Sequence, residues 1–438
     1  MSYPKLPDFK GLAKAFELYS QLKHEYGAKG IEKILARAEK AQKAALSALK
    51  KLPIDRKLAQ KEPNDIRKIR ALRPRGPRIL WQKFDREIYA EKLEGALLAR
   101  FAGCTLGAPV EFWDVEKMEE LARENNMPFP PDDYWKYVPE PYRLRYSLSP
   151  REAYTRDKMD GVPVDDDIAY TLLGLLVAED YGADFTVEEN GKAWLKYLPY
   201  ACTAEHVALE NLKKGVPAKK AGEIDNPYCE WIGADIRSDP WGYMAPAWPE
   251  RAADMACRDA YLSHRRQGIY GEMFFSAAIA AAFAVKHPVE AIEIGLTEIP
   301  KDCALARDVR WALKAGRKIR DYKQARAAMD ERFKGMSGVH TSNNACLTIW
   351  GLMIGGNDVS KVISETVAMG MDNDCTAATA GSIVGAVVGK RGVPKRWHRR
   401  FNNKVHSYLN GRKLFRIDDL VKRFTKQAAA VYAKAWQG

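Results

Sequence analysis

A chain of 438 residues, 46% hydrophobic with a formal net charge of +13, can bury a large core, which excludes a disordered chain and allows one large domain with an appendage. Its most apolar stretch, Met273 to Val285, is shorter than the roughly 20 residues that span a bilayer, and no apolar run follows a charged start at the N-terminus, so no membrane and no secretory signal is expected. The seven cysteines are scattered and never spaced Cys-x-x-Cys, which argues against a disulfide framework and structural zinc and fits a cytoplasmic protein.

Taken in order, residues 1–80 hold 20 Lys and Arg against 8 Asp and Glu. Apolar residues recur at helical spacing from Leu12 to Leu49, broken at Gly27 to Gly30, which predicts a helical hairpin. Pro53, Pro63, Pro74 and Pro77 then mark a charged linker, with a domain boundary near residue 80. From Phe84 onward apolar-periodic segments recur, among them Ile88 to Phe101, Ile168 to Glu179, Gly271 to Val285, Asn344 to Ile354 and Thr376 to Val388. Alternating strand-like runs are scarce, so the expected class is all-α. Gly381, Gly385 and Gly389 share one helix face and predict close helix packing. Residues 395–438 hold 12 basic against 2 acidic residues, which leaves 81–394 acidic. The expected organisation is a basic helical extension over 1–80, a main domain over 81–394 and a basic helical segment over 395–438 packed on it. The basic ends are compatible with phosphate contacts to nucleic acid, but no nucleic-acid motif accompanies them, and solvated helical faces are favoured. Nothing in the sequence sets an oligomeric state.

Three elements carry chemistry. The first is Gly103-Cys104-Thr105-Leu106-Gly107-Ala108-Pro109-Val110-Glu111, where glycines and a proline end a helix and leave Glu111 on a loop. The second is Asp165-Asp166-Asp167 ahead of an apolar helix, a pattern that a helix N-terminus alone explains. The third is Asp372-Asn373-Asp374-Cys375, again at a helix start. Two acid-rich helix starts far apart in sequence point to one site. Four or five converging carboxylates with no basic residue in either motif call for a hard divalent cation, Mg²⁺, Mn²⁺ or Ca²⁺ rather than zinc.

In this order the three elements resemble the ADP-ribosylglycohydrolase family, over roughly residues 85–390. Asp165-Asp166-Asp167-Ile168-Ala169-Tyr170-Thr171 is closest to a bacterial subgroup. Trp231-Ile232-Gly233-Ala234, Asp239-Pro240-Trp241-Gly242-Tyr243, Ile269-Tyr270-Gly271-Glu272-Met273 and His340-Thr341-Ser342-Asn343-Asn344-Ala345 match as well. The resemblance implies a compact all-α fold with two metal ions, usually Mg²⁺, held by Asp165, Asp166, Asp167, Asp372 and Asp374. It implies Glu111 as the carboxylate beside the scissile bond, with Asp166 and Asp374 sharing the catalytic work, and Gly268, Tyr270, Gly271 and Tyr243 around the substrate. The activity it implies is metal-dependent hydrolysis of a ribosyl C1″ bond in an ADP-ribosyl or related substrate, free or protein-linked. An N-riboside or nucleoside hydrolase of the same fold, or a non-catalytic module for ADP-ribose or nucleic acid, is the alternative. The chain departs from the family at Cys104, Ile168, Asn373, Cys375 and Ala247-Trp248, the last of which is expected to narrow or re-aim the pocket.

Overall fold

Among the residues that the computed structural model describes, 3–138 and 151–435, regular structure is almost wholly helical. Twenty α-helices accompany one antiparallel pair of short strands, Lys404–His406 and Leu414–Arg416. The all-α expectation is met. The chain divides into two compact units, 1–60 and 61–438.

In the first unit, helices Phe9–Glu25 and Ile31–Lys50 form where the spacing predicts them, separated by Gly27 and Gly30 at φ 70° and 83°. Left-handed backbone of this kind costs glycine little. Neither helix buries a residue.

The break falls at 60, ahead of the position near 80 that the prolines mark, because residues 61–80 are bonded into the larger unit. Buried Glu62 pairs with Arg266, and the Tyr270 hydroxyl donates to the Pro63 carbonyl at 2.6 Å. Arg73 and Arg78 both reach the buried Glu298 at 2.6 Å, and the Leu80 N–H donates to the Ala247 carbonyl at 2.7 Å. The linker also holds two short helices, Arg56–Lys61 and Ile66–Leu72.

The larger unit is organised by two long helices, Arg86–Gly107 and Asn373–Val388. The first is capped by Asp85, whose carboxylate accepts from the Glu87 and Ile88 N–H groups. The two run antiparallel with glycines at the seam. A Cβ on Gly385 would lie 2.3 Å from the Gly95 carbonyl oxygen, one on Gly103 2.2 Å from the Ala377 carbonyl oxygen, and one on Gly107 2.6 Å from the Asp374 Cα. No side chain fits at such distances, so the backbones themselves are in contact. This crossing carries the C-terminal end of the first helix, and with it Glu111, to the start of the second, where Asp372 and Asp374 stand.

Helix Asp166–Tyr181 begins on Asp165, whose carboxylate accepts from the Asp167 N–H at 3.0 Å. Thirteen of its sixteen residues are buried, as its continuous apolar pattern requires. Helix Gln267–Ala282 is buried throughout, so the run from Met273 is core. Helix Ile417–Ala435 closes over the domain: Phe424 meets Tyr243 edge to face at 5.5 Å, and the Tyr432 hydroxyl donates to the Pro246 carbonyl at 2.5 Å.

Candidate metal centre

Local backbone sets the carboxylates before any side chain is considered. Gly370 and Met371 adopt φ 73° and 63° and turn the chain sharply ahead of Asp372. Phe112, also left-handed at φ 60°, donates its N–H to the Met371 carbonyl at 2.9 Å. Asn373 ties the same turn down by donating from Nδ2 to the carbonyls of Val110 and Val367, at 3.4 and 3.1 Å. The loop bearing Glu111 is thereby fastened to the turn bearing Asp372.

The consequence is one cluster built from all three sequence elements. Glu111, Asp372 and Asp374 offer oxygens within 4.8 Å of one another, as do Asp165, Asp166 and Asp167. A third group, Asp167, Asp374 and Cys375, meets the same limit and joins the other two. Asp372 is the N-cap of its helix, yet its carboxylate makes no capping bond. Capping therefore accounts for Asp165 and leaves Asp372 unexplained by helix formation.

Charge balance in the cluster is one-sided. Arg100, in the middle of an apolar helix, is fully buried and places Nη2 3.7 Å from Asp167 Oδ1 and Nη1 2.6 Å from Asp239 Oδ2. The second contact is a close charge pair without an aligned hydrogen bond. The guanidinium is held by three further bonds, to Thr171 Oγ1 at 2.9 Å and to the carbonyls of Asp167 and Ile236 at 2.7 and 3.0 Å. Burial, and then the neighbouring Asp165 charge, push the Asp167 carboxyl well above the usual carboxylate range despite Arg100. Burial followed by Glu111 and Asp372 does the same to Asp374. The Oδ1 atoms of Asp167, Asp372 and Asp374 are buried and accept no hydrogen bond among the described residues. Leaving such an acceptor unsatisfied costs about 1–3 kcal/mol. Orphaned, mutually repelling oxygens are what a divalent cation would satisfy, so the residues present fit a metal.

A pocket of about 230 Å³ opens onto this cluster, lined by Asp166, Asp372 and Cys375 and by Phe112, Trp231 and Glu205. Glu205 is buried and pairs with Arg237 Nη1 at 2.8 Å, and Arg237 also holds Asp259 at 2.7 Å and Glu272 at 3.3 Å. Burial nevertheless pushes the Glu205 carboxyl up to about 7. A folded-state value above the unfolded one means that the native protein holds the extra proton between about 4.5 and about 7, so stability falls as pH rises through that window. Glu205→Gln should flatten the decline by about 3 kcal/mol, the size of a shift of this order. Thermal midpoints of the two proteins measured across the window decide it, and parallel curves would show that Glu205 titrates as it does in the unfolded chain.

The ADP-ribosylglycohydrolase family model matches residues 85–431. The chain belongs to the ADP-ribosylglycohydrolase family. A solved structure titled ADP-ribosylglycohydrolase-related protein complex is 19% identical, covering 79% of this chain and 99% of its own, with a TM-score of 0.49. No curated protein matches the chain.

Membership in a glycohydrolase family implies hydrolase chemistry, and the remaining expected site residues can be placed against it. Tyr243 is fully buried, with its hydroxyl 2.6 Å from Ser382 Oγ and 3.2 Å from Asp239 Oδ1. It donates to Asp239, the partner of Arg100, and is not among the residues that line the pocket. Tyr270 is likewise turned to Pro63. Gly268 and Gly271 are packed against Cys229 and His264 and against Asp235 and Thr341, where a Cβ would collide. Trp248 meets Tyr432 edge to face at 5.7 Å and is not among the residues that line the pocket. Ile168 is core, and Asn373 is the tie described above. The seven cysteines form no disulfide, and no helix among the described residues is long and apolar enough to cross a membrane.

Arg100, Asp239, Glu205 and Phe112 carry weight that the sequence reading did not assign. For Arg100 a signal existed: a lone arginine inside the apolar run Ile88 to Phe101. Asp239 stood in a motif already singled out. Glu205 and Phe112 had no local signature.

Proposed function

We propose that the chain hydrolyses the C1″ bond of a ribosyl group, with an ADP-ribosyl conjugate as substrate and a divalent cation as cofactor. The observation that carries this reading is the meeting of Glu111, Asp372 and Asp374 with Asp165, Asp166 and Asp167 beside a pocket of about 230 Å³. Asp165, Asp166, Asp167, Asp372 and Asp374 would hold the metal, with Mg²⁺, Mn²⁺ or Ca²⁺ matching their oxygen ligands. A bound ion supplies positive charge for sugar hydroxyls and makes a nearby water more acidic.

The chain's own residues supply the rest. Breaking a glycosidic bond builds positive charge on the sugar, and a floor of carboxylates favours that charge over a neutral ground state. Glu111, pinned beside Asp372 and Asp374, orients the reacting sugar and carries a proton to or from the attacking water. Phe112 and Trp231 give the pocket aromatic faces for the substrate's apolar surfaces.

Incubation with an ADP-ribosylated peptide should release ADP-ribose in Mg²⁺ or Mn²⁺ and none in EDTA, read by chromatography. Free ADP-ribose should raise the thermal midpoint only with metal present, since a ligand of the native state stabilises it by mass action. Ribose release from nucleosides alone would move the assignment to N-riboside hydrolysis, and no release from either substrate with any ion would refute the hydrolase reading.

A further inference from the structure

The groups of ligand atoms in the cluster are not chemically alike. Glu111, Asp372 and Asp374 contribute oxygen only, whereas Asp167, Asp374 and Cys375 contribute two oxygens and a sulfur within 4.8 Å of one another. The three residues of the second group are at most 1% exposed. Asp374 Oδ1 is buried and accepts no hydrogen bond among the described residues, which points to a ligand there, while Asp167 Oδ1 lies 3.7 Å from Arg100 Nη2. The Cys375 thiol donates to Asp167 Oδ2 at 3.0 Å, and the residue also lines the pocket. Its place in the first turn of helix Asn373–Val388, next to Asp374, keeps the sulfur in this group.

We propose that the centre has two unlike metal positions: an oxygen-only position on the aspartates beside Glu111, and a thiol-bearing one at Asp167, Asp374 and Cys375 that selects Zn²⁺, Co²⁺ or Fe²⁺ over Mg²⁺. The inference rests on the metal reading above and assigns the ion class of one of its positions. Thiolate is a soft ligand that strengthens binding of late first-row ions and contributes little to Mg²⁺, which prefers oxygen and holds its waters. On binding, the S–H bond breaks, a metal–sulfur bond forms, and the proton leaves through the pocket to solvent; no electron is transferred. Asp167 Oδ2 loses a hydrogen bond from sulfur and gains the cation.

The test is a titration of the metal-stripped full chain with Co²⁺, following thiolate-to-cobalt charge transfer in the near ultraviolet and total binding by calorimetry. The band should saturate with one ion per chain and persist in excess Mg²⁺. It should vanish in Cys375→Ser and Cys375→Thr but survive in Cys104→Ser, whose thiol lies close to the same aspartates. Zn²⁺ affinity should fall on the order of tenfold or more in Cys375→Ser. Co²⁺ binding without the band, or a band lost with Cys104 instead, overturns this proposal and leaves the metal reading standing. Binding of neither Co²⁺ nor Mg²⁺ overturns both.

Discussion

Asp374→Asn is expected to lower turnover on the order of a thousandfold or more, the scale of losing a group that acts on developing charge, while the helical fold persists. Asp374 belongs to both the Glu111–Asp372 group and the Asp167–Cys375 group, so its loss breaks both at once. Asparagine keeps the size of the side chain, and the backbone of residue 374 stays packed against Gly107. It also removes a carboxyl that burial, and then Glu111 and Asp372, push well above the usual carboxylate range, and so relieves the repulsion within the cluster. The metal-free variant should therefore unfold at the same temperature as the parent or higher, and the rise in thermal midpoint on adding metal should shrink. Product release and midpoints with and without metal decide the matter together. An Asp374→Asn protein with full turnover would remove Asp374 from the catalytic assignment.

Arg100→Met should cost about 3–5 kcal/mol, as for breaking a buried ion pair from one side. The guanidinium lies between Asp167 and Asp239 and donates to Thr171 and two main-chain carbonyls. Methionine fills part of the volume but leaves these acceptors buried and unpaired. Burial raises the Asp239 carboxyl more than Arg100 lowers it. Loss of Arg100 should raise the Asp239 carboxyl further, so the destabilisation should be smaller at acid pH. The double variant Arg100→Met, Asp239→Asn should recover part of the stability, because it removes the stranded charge. Denaturant titration of the three proteins measures this, and a single-variant loss below about 1 kcal/mol, the range of an exposed pair, would mean that Arg100 is not balancing the cluster.

How much of this was legible beforehand follows from the range over which each feature is specified. Helix starts are local: Asp85, Asp165 and Asp372 precede apolar runs and stand at helix N-caps. The glycine face is local too, and Gly381 and Gly385 meet the backbone of Ala99 and Gly95 as an i, i+4 stripe predicts. Family motifs then joined three distant segments in one reading. What they left open was orientation. Tyr243 and Tyr270 lie beside motif residues in sequence, yet their hydroxyls are satisfied by Ser382 and Asp239 and by Pro63. A buried tyrosine goes where its hydroxyl finds a partner, which periodicity does not encode.

The sequence by itself determined the helical class, the capped starts that display the aspartates and the small residues that let two helices touch, since each depends on neighbours within a turn or two. Only the tertiary structure decided that the antiparallel crossing of Arg86–Gly107 on Asn373–Val388 carries Glu111 to Asp374. It also decided that Arg100 balances part of the charge, that Glu205 lines the pocket and that Cys375 shares a ligand group with Asp167. Those outcomes depend on contacts between segments as far as 295 residues apart, where charge and burial are set by whatever packing brings together.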